Sequence, residues 1–306
     1  MGATTVMTVR GPVPASELGV TLPHEHLVID LMREYRGPGL LHDEALATRE
    51  LARFAEAGGG TLVDCTTDDI GRDPEALRRL SEATGVHVVM GAGHYRRPYL
   101  DTARIDRLSV DALADAIVQD LSEGVRDTGI RAGIIGEIGC DRVIGAHEER
   151  AFRAAARAHR RTGATITTHA ARWPVGHAQL DLLAEEGVDP GRVIIGHCDM
   201  VPDPGYQLAL ARRGAFVQLD TIQGESDWDV DRRVALIAEL VDAGFGDRVL
   251  LSHDVCLRTD LATYGGPGYA YLLTGFRARL EAAGFEASAI ARMLVDNPRR
   301  ALTGEA

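Results

Sequence analysis

The chain has no lysine: each of its 33 basic residues is arginine, so positive charge at any binding surface must come from arginine or histidine. Cysteine is scarce, and the four residues Cys65, Cys140, Cys198 and Cys256 lie far apart with no CxxC among them. That excludes a closely spaced zinc cluster and a disulfide framework, and reads as free thiols in a reducing compartment. No apolar run approaches the roughly 18 residues a membrane span needs. The start, MGATTVMTVRGP, lacks the basic and apolar segments of a signal peptide. A cytoplasmic protein is therefore expected. Net basic charge is missing too: at −12 the balance disfavours a nucleic-acid partner, whose binding depends on neutralising phosphates.

What is present is an ordinary globular composition, 45% hydrophobic and 25% charged over 306 residues, long for one domain but typical of an α/β barrel. Residues 4–20 read as two short strands around Gly11-Pro12, a hairpin preceding the main body. Eight apolar runs follow: GVTLPHEH, GGTLVDCT, VHVVMGAGHY, RAGIIGEIGC, GATITTHA, RVIIGHCD, GAFVQLDT and RVLLSHDV. Segments with helical periodicity separate them, including 107–128, 146–162, 229–245 and 269–284, and a last helix is expected over 286–297 with a frayed tail from Thr303. Strands buried on both faces and alternating with helices predict a (β/α)8 TIM barrel, one domain over 1–306, rather than an open sheet.

The stretch VTLPHEHLVID carries His24 and His26, which project to the same side of an extended segment and can serve one metal ion. Glu137, His169, His197 and Asp254 fall at the carboxyl ends of later runs, and in a barrel those ends meet at one mouth. Singly, His169 or His197 reads more simply as a hydrogen-bonded core histidine. An ionised carboxylate at the end of an apolar strand, however, needs a cation or donors to offset its desolvation. A catalytic zinc takes about three protein ligands, so this set implies two metals, with Glu137 able to bridge them and a shared hydroxide as nucleophile.

These motifs resemble the phosphotriesterase family of the amidohydrolase superfamily, most closely its phosphotriesterase homology protein branch. The likeness runs nearly end to end, through TVRGP, LGVTLPHEHL, DTGIRAGIIGEIG, TTHA, IGHCD, GAFVQLDTI, LLSHD, YGGPGY and DNPRR. The resemblance implies a barrel with a binuclear centre, most often zinc, although Mn, Co or Fe suit such ligands. His24, His26 and Asp254 would hold the more buried ion, and His169 and His197 the more exposed one. Many members bridge the ions with a carbamylated lysine. Here Gly136 stands at that position, and with no lysine in the chain Glu137 is the bridging candidate. The implied mechanism has the bridging hydroxide attack a carbonyl or phosphoryl centre, with Asp254 accepting its proton.

The acid and histidine relay of the organophosphate hydrolases is missing, since the corresponding positions are Met200 and Thr221. An ester or lactone is thus expected in preference to a phosphotriester. His94, Tyr95, Arg96 and Arg97 after strand three, Arg172 after strand five and Arg258 after strand eight are expected near the mouth, where arginine could grip an anionic group on a small-molecule substrate. The alternative for these arginines is solvated loop positions. The segment Gly265 to Tyr269 reads as a loop over the mouth, and His253 should point away from Asp254. Three rival functions remain at this level: a phosphotriester hydrolase, a TatD-type deoxyribonuclease that also uses HxH and GEIG, and a metal-containing binding protein without catalysis. A homodimer is possible within such a family.

Overall fold

The computed structural model describes residues 4–203, 205–224 and 226–305. The hairpin forms from β1 (Thr5–Thr8) and β2 (Gly11–Pro14), paired antiparallel. The barrel strands begin with β3 (Val20–Glu25). A short antiparallel pair, β4 (Ile29–Asp30) and β5 (Leu40–Leu41), occupies the loop after it. The remaining strands are β6 (Gly59–Asp64), β7 (His87–Ala92), β8 (Ile134–Gly139), β9 (Ile166–His169), β10 (Val193–Ile195), β11 (Phe216–Leu219) and β12 (Val249–Leu251). Their order, β12-β11-β10-β9-β8-β7-β6-β3, is sequential with every ladder parallel, as eight βα units require. The two ends meet where Asp254 N donates to His24 O at 3.3 Å and His24 N donates to Ser252 Oγ at 3.1 Å. All eight expected strands are present, in a TIM barrel.

Helices lie around the sheet, and their caps explain where they begin. Asp43, Asp73, Ser109 and Ser226 each accept from a backbone amide of the first turn. The Ser109 cap starts a helix at Val110 that ends at Ser122, shorter than the expected 107–128, and Thr102–Arg107 is a separate helix. The last segment also departs from expectation: after Ala287–Ala291 and a π turn, the chain continues as helix through Asn297–Thr303. Thr165 Oγ1 donates to Ala301 O at 2.5 Å, which ties this helix beneath the barrel. There Ala301 and Leu302 join Val6, Ala15 and Leu18 against Val63, Val89, Ile134, Ile194, Phe216 and Leu250, closing the amino-terminal end with apolar side chains. The opposite end stays open and polar.

Candidate metal centre

Two irregularities in the barrel position the central residues. The β3–β6 ladder shifts register between Leu22 and Glu25, and the β8–β9 ladder shifts between Ile135 and Ile138. The second shift lies at Gly136, whose φ is +123° and whose place leaves no room for a side chain: an added Cβ would stand 2.2 Å from Thr167 O. A lysine could not occupy this position in this backbone. Glu137, the next residue, turns its carboxylate into the mouth.

There the six residues at the strand ends come together. Glu137 Oε1 is 3.6 Å from His26 Nε2, while Oε2 is 3.5 Å from His24 Nε2, 3.2 Å from His169 Nδ1 and 3.5 Å from His197 Nε2. Asp254 Oδ1 lies 3.2 Å from His26 Nε2 and 3.7 Å from His24 Nε2. Three overlapping groups could each hold a metal ion: His24 with His26 and Asp254, Glu137 with His169 and His197, and His24 with His197 and Asp220. The donor chemistry fits a borderline divalent cation, and His24 Nε2 is buried without a hydrogen-bond partner, as a ligand atom awaiting a cation should be.

The ring orientations are set from behind, chiefly by Asp220, a fully buried residue at the end of β11. It lies 3.0 Å from His24 Nδ1 and accepts from His197 Nδ1 at 2.8 Å and from His197 N at 2.9 Å, so both rings turn Nε2 toward Glu137. Gln218 Nε2 donates to Asp220 Oδ2 at 2.6 Å, and Thr66 Oγ1 is 2.9 Å from His26 Nδ1. His169 differs: it presents Nδ1 to the centre, 3.2 Å from the Tyr95 hydroxyl and 2.8 Å from His197 Nε2. The signal for Asp220 is visible in GAFVQLDT, an acid ending an apolar strand exactly as Glu137 and Asp254 do, whereas its two-ring contact is a property of the fold.

Burial opposes ionisation at Glu137, His24, His169 and His197, and the charges around them decide the outcome. At Glu137 the surrounding histidines overcome burial and hold the carboxyl well below its ordinary value. At His24 burial works against the charged form, but the Glu137 and Asp220 carboxylates raise the imidazole well above its ordinary value, and at His197 Asp220 and Glu137 push it up to about 10 despite burial. His169 goes the other way: burial and the neighbouring His197 lower it to about 3. The buried carboxylates thus favour positive charge at the centre, which a divalent cation held by these residues would supply.

The centre floors a cavity of about 630 Å³. Tyr95, Arg96 and Arg172 line it, as do Met200 and Thr221. His94 does not; it faces a separate cavity beside Asp68 and Arg72, with Nδ1 3.3 Å from Asp69. Arg97 is turned outward to His147 at 2.5 Å, and Arg258 stacks over Tyr264 outside the mouth. Gly265 to Tyr269 does not cover the mouth. Gly266 packs on the Asp260 backbone, where a Cβ would stand 2.3 Å away, and the buried Tyr269 hydroxyl donates to His26 O at 2.6 Å. His253 points away from the centre, its Nδ1 2.8 Å from Glu25. Arginines that sequence reading passed over also line the cavity: Arg232 and Arg233, held by Asp229 and Asp199.

A family model described as the phosphotriesterase family matches residues 4–302. The chain belongs to the phosphotriesterase family. It is 36% identical over 282 residues to the phosphotriesterase homology protein of Escherichia coli, covering 92% of this chain and 96% of that protein. It is 33% identical over 341 residues to an N-acetyltaurine hydrolase of Tetraodon nigroviridis, covering 97% of each. Among solved structures, a resiniferatoxin-binding protein from Rhodobacter sphaeroides matches at a TM-score of 0.90 and 38% identity, over 98% of this chain and 95% of that one. A lactonase from Listeria monocytogenes matches at 0.91 and 29%, over 99% and 100%. The family is metal-dependent and these relatives include hydrolases, in keeping with a metal-dependent hydrolase here. No helix among the described residues is long and apolar enough to cross a membrane.

Proposed function

We propose that this chain is a binuclear metal-dependent hydrolase that opens a small carboxylic ester or lactone carrying an anionic group. The observation that supports it most is the Glu137 carboxylate, with one oxygen toward His26 and the other toward His24, His169 and His197. His24, His26 and Asp254 would hold one ion, His169 and His197 the other, and Glu137 would touch both. Zinc suits this set, and such a pair supplies a water activated at neutral pH and polarises the substrate oxygen. The protein's own residues do the rest. Asp254, partly open to the cavity, is the group placed to take the proton from the attacking water and return it to the leaving oxygen. Tyr95 fixes His169 through its hydroxyl.

Substrate charge is read by arginine. Arg96 is committed to Glu34 at 2.7 Å, and Arg233 to Asp199 at 2.7 Å. Arg172 lines the same cavity, and no carboxylate among the described residues lies within ion-pair distance of it. It is the cation left to grip a substrate carboxylate, sulfonate or phosphate. A second reading, an N-acyl amide with an anionic tail, is favoured by the N-acetyltaurine hydrolase relatives, which match over nearly the whole chain. The test is turnover by zinc- or manganese-loaded protein on lactones, aryl esters, N-acyl amides including N-acetyltaurine, phosphotriesters and single-stranded DNA. Anionic lactones or esters should turn over fastest. Turnover confined to amides would select the second reading, and turnover confined to triesters or DNA would overturn both.

A further inference from the structure

Between the two histidines of the first strand sits Glu25, which points the opposite way, into the seam where β3 meets β12, and is wholly buried. Its Oε1 accepts from Ser252 Oγ, His253 N and His253 Nδ1, each at 2.8 Å, and its Oε2 accepts from Val255 N at 2.9 Å. The two amides flank Asp254, a non-glycine residue held at φ +54°. A left-handed conformation of that kind persists only where its surroundings impose it. One carboxylate therefore grips the backbone on both sides of Asp254 while its own neighbours in sequence are His24 and His26. We infer that Glu25 is a positioning residue that holds His24, His26 and Asp254 as one preassembled metal-binding unit. It acts through those three residues and touches neither ion nor substrate. A glutamine cannot replace it, because one end of an amide would present N–H groups to a backbone N–H.

The inference rests on the metal reading above, and wild-type metal content tests that reading separately. The experiment compares Glu25→Gln, the milder Ser252→Ala and a control, Glu50→Gln. Glu50 is likewise a buried carboxylate accepting from two backbone amides, Ala262 N at 2.8 Å and Thr263 N at 3.0 Å, but at a distance from the ligands along the chain. Zinc affinity is measured by chelator competition, together with the d–d absorption of cobalt-loaded protein. Glu25→Gln should weaken binding of one ion roughly 10- to 100-fold and alter the cobalt spectrum, as loss of a group behind the ligands does elsewhere. Ser252→Ala should do so to a smaller degree, and Glu50→Gln should lower thermal stability while leaving affinity and spectrum as in wild type. Should Glu25→Gln fail to fold, Glu25→Asp, which keeps the charge but shortens the reach to the two amides around Asp254, decides by the same affinity and spectrum. Wild-type affinity and spectrum in the Glu25 and Ser252 variants, with wild type binding metal, would overturn the inference. Wild type binding no metal would overturn the reading beneath it.

Discussion

At the amino-terminal end of the barrel, β6, β7, β8, β10, β11 and β12 present Val63, Val89, Ile134, Ile194, Phe216 and Leu250 to an apolar plug built from the hairpin and the last helix. At the carboxyl end the same strands, with β3 and β9, lead into imidazoles and carboxylates, nearly all buried. The first end gains its stability chiefly from apolar burial, with hydrogen bonds such as Thr165 to Ala301 tying the plug in place. The second buries charge at a cost of several kcal/mol per unpaired ion, and is tolerable only because each group has a partner. Packing and chemistry are thereby separated along one set of strands, so damage to each end should have its own signature.

The sharpest break in that division is Glu137→Gln at the mouth. Losing the shared carboxylate should lower kcat/KM by several kcal/mol of transition-state stabilisation, roughly 10³-fold, with the melting temperature of the metal-free protein little changed. A drop within a few fold in steady-state assays would argue that Glu137 bridges nothing. Leu18→Ala at the other end reverses the pattern. Leu18 is wholly buried in the plug, and its truncation should lower stability by about 2–5 kcal/mol in urea unfolding while KM and metal affinity hold.

Two further substitutions sharpen the mouth itself. Asp220→Asn leaves the shape but cannot accept from both rings with full charge. Chelator competition should show metal affinity falling roughly 10- to 100-fold, and wild-type affinity would mean that the rings are oriented without it. The smallest effect is expected of Arg172→Ala: KM for anionic substrates should rise about 10-fold with kcat held, since one charge-assisted contact is lost, and neutral esters should be unaffected. Equal effects on charged and neutral substrates would remove Arg172 from recognition.

Much of this arrangement is legible in the sequence, because it follows from chain-local rules. Apolar runs mark the eight strands, alternation sends His24 and His26 to one side, and acids ending apolar strands stand out by their desolvation cost. What stays hidden is which polar groups meet across strands. Asp220 touches two rings that are distant in sequence, that of His197, 23 residues before it, and that of His24, on the first barrel strand. 

Arg96 is neutralised by Glu34, 62 residues away, and so is not the free cation its sequence neighbourhood suggests. The direction of His94 and Arg258, out of the cavity, depends on loop paths that no local pattern dictates. Glu25 is hidden for the same reason: its partners, His253 and Val255, lie just beyond the last strand, far from it in the chain.

The central claim is that the mouth holds a pair of ions across Glu137. Elemental analysis of wild-type protein, purified without chelator and assayed for hydrolysis in the same preparation, tests it most directly. About two divalent transition metals per chain are predicted for wild type, with clearly fewer in Glu137→Gln. Wild-type protein that is fully active with close to none would contradict the account.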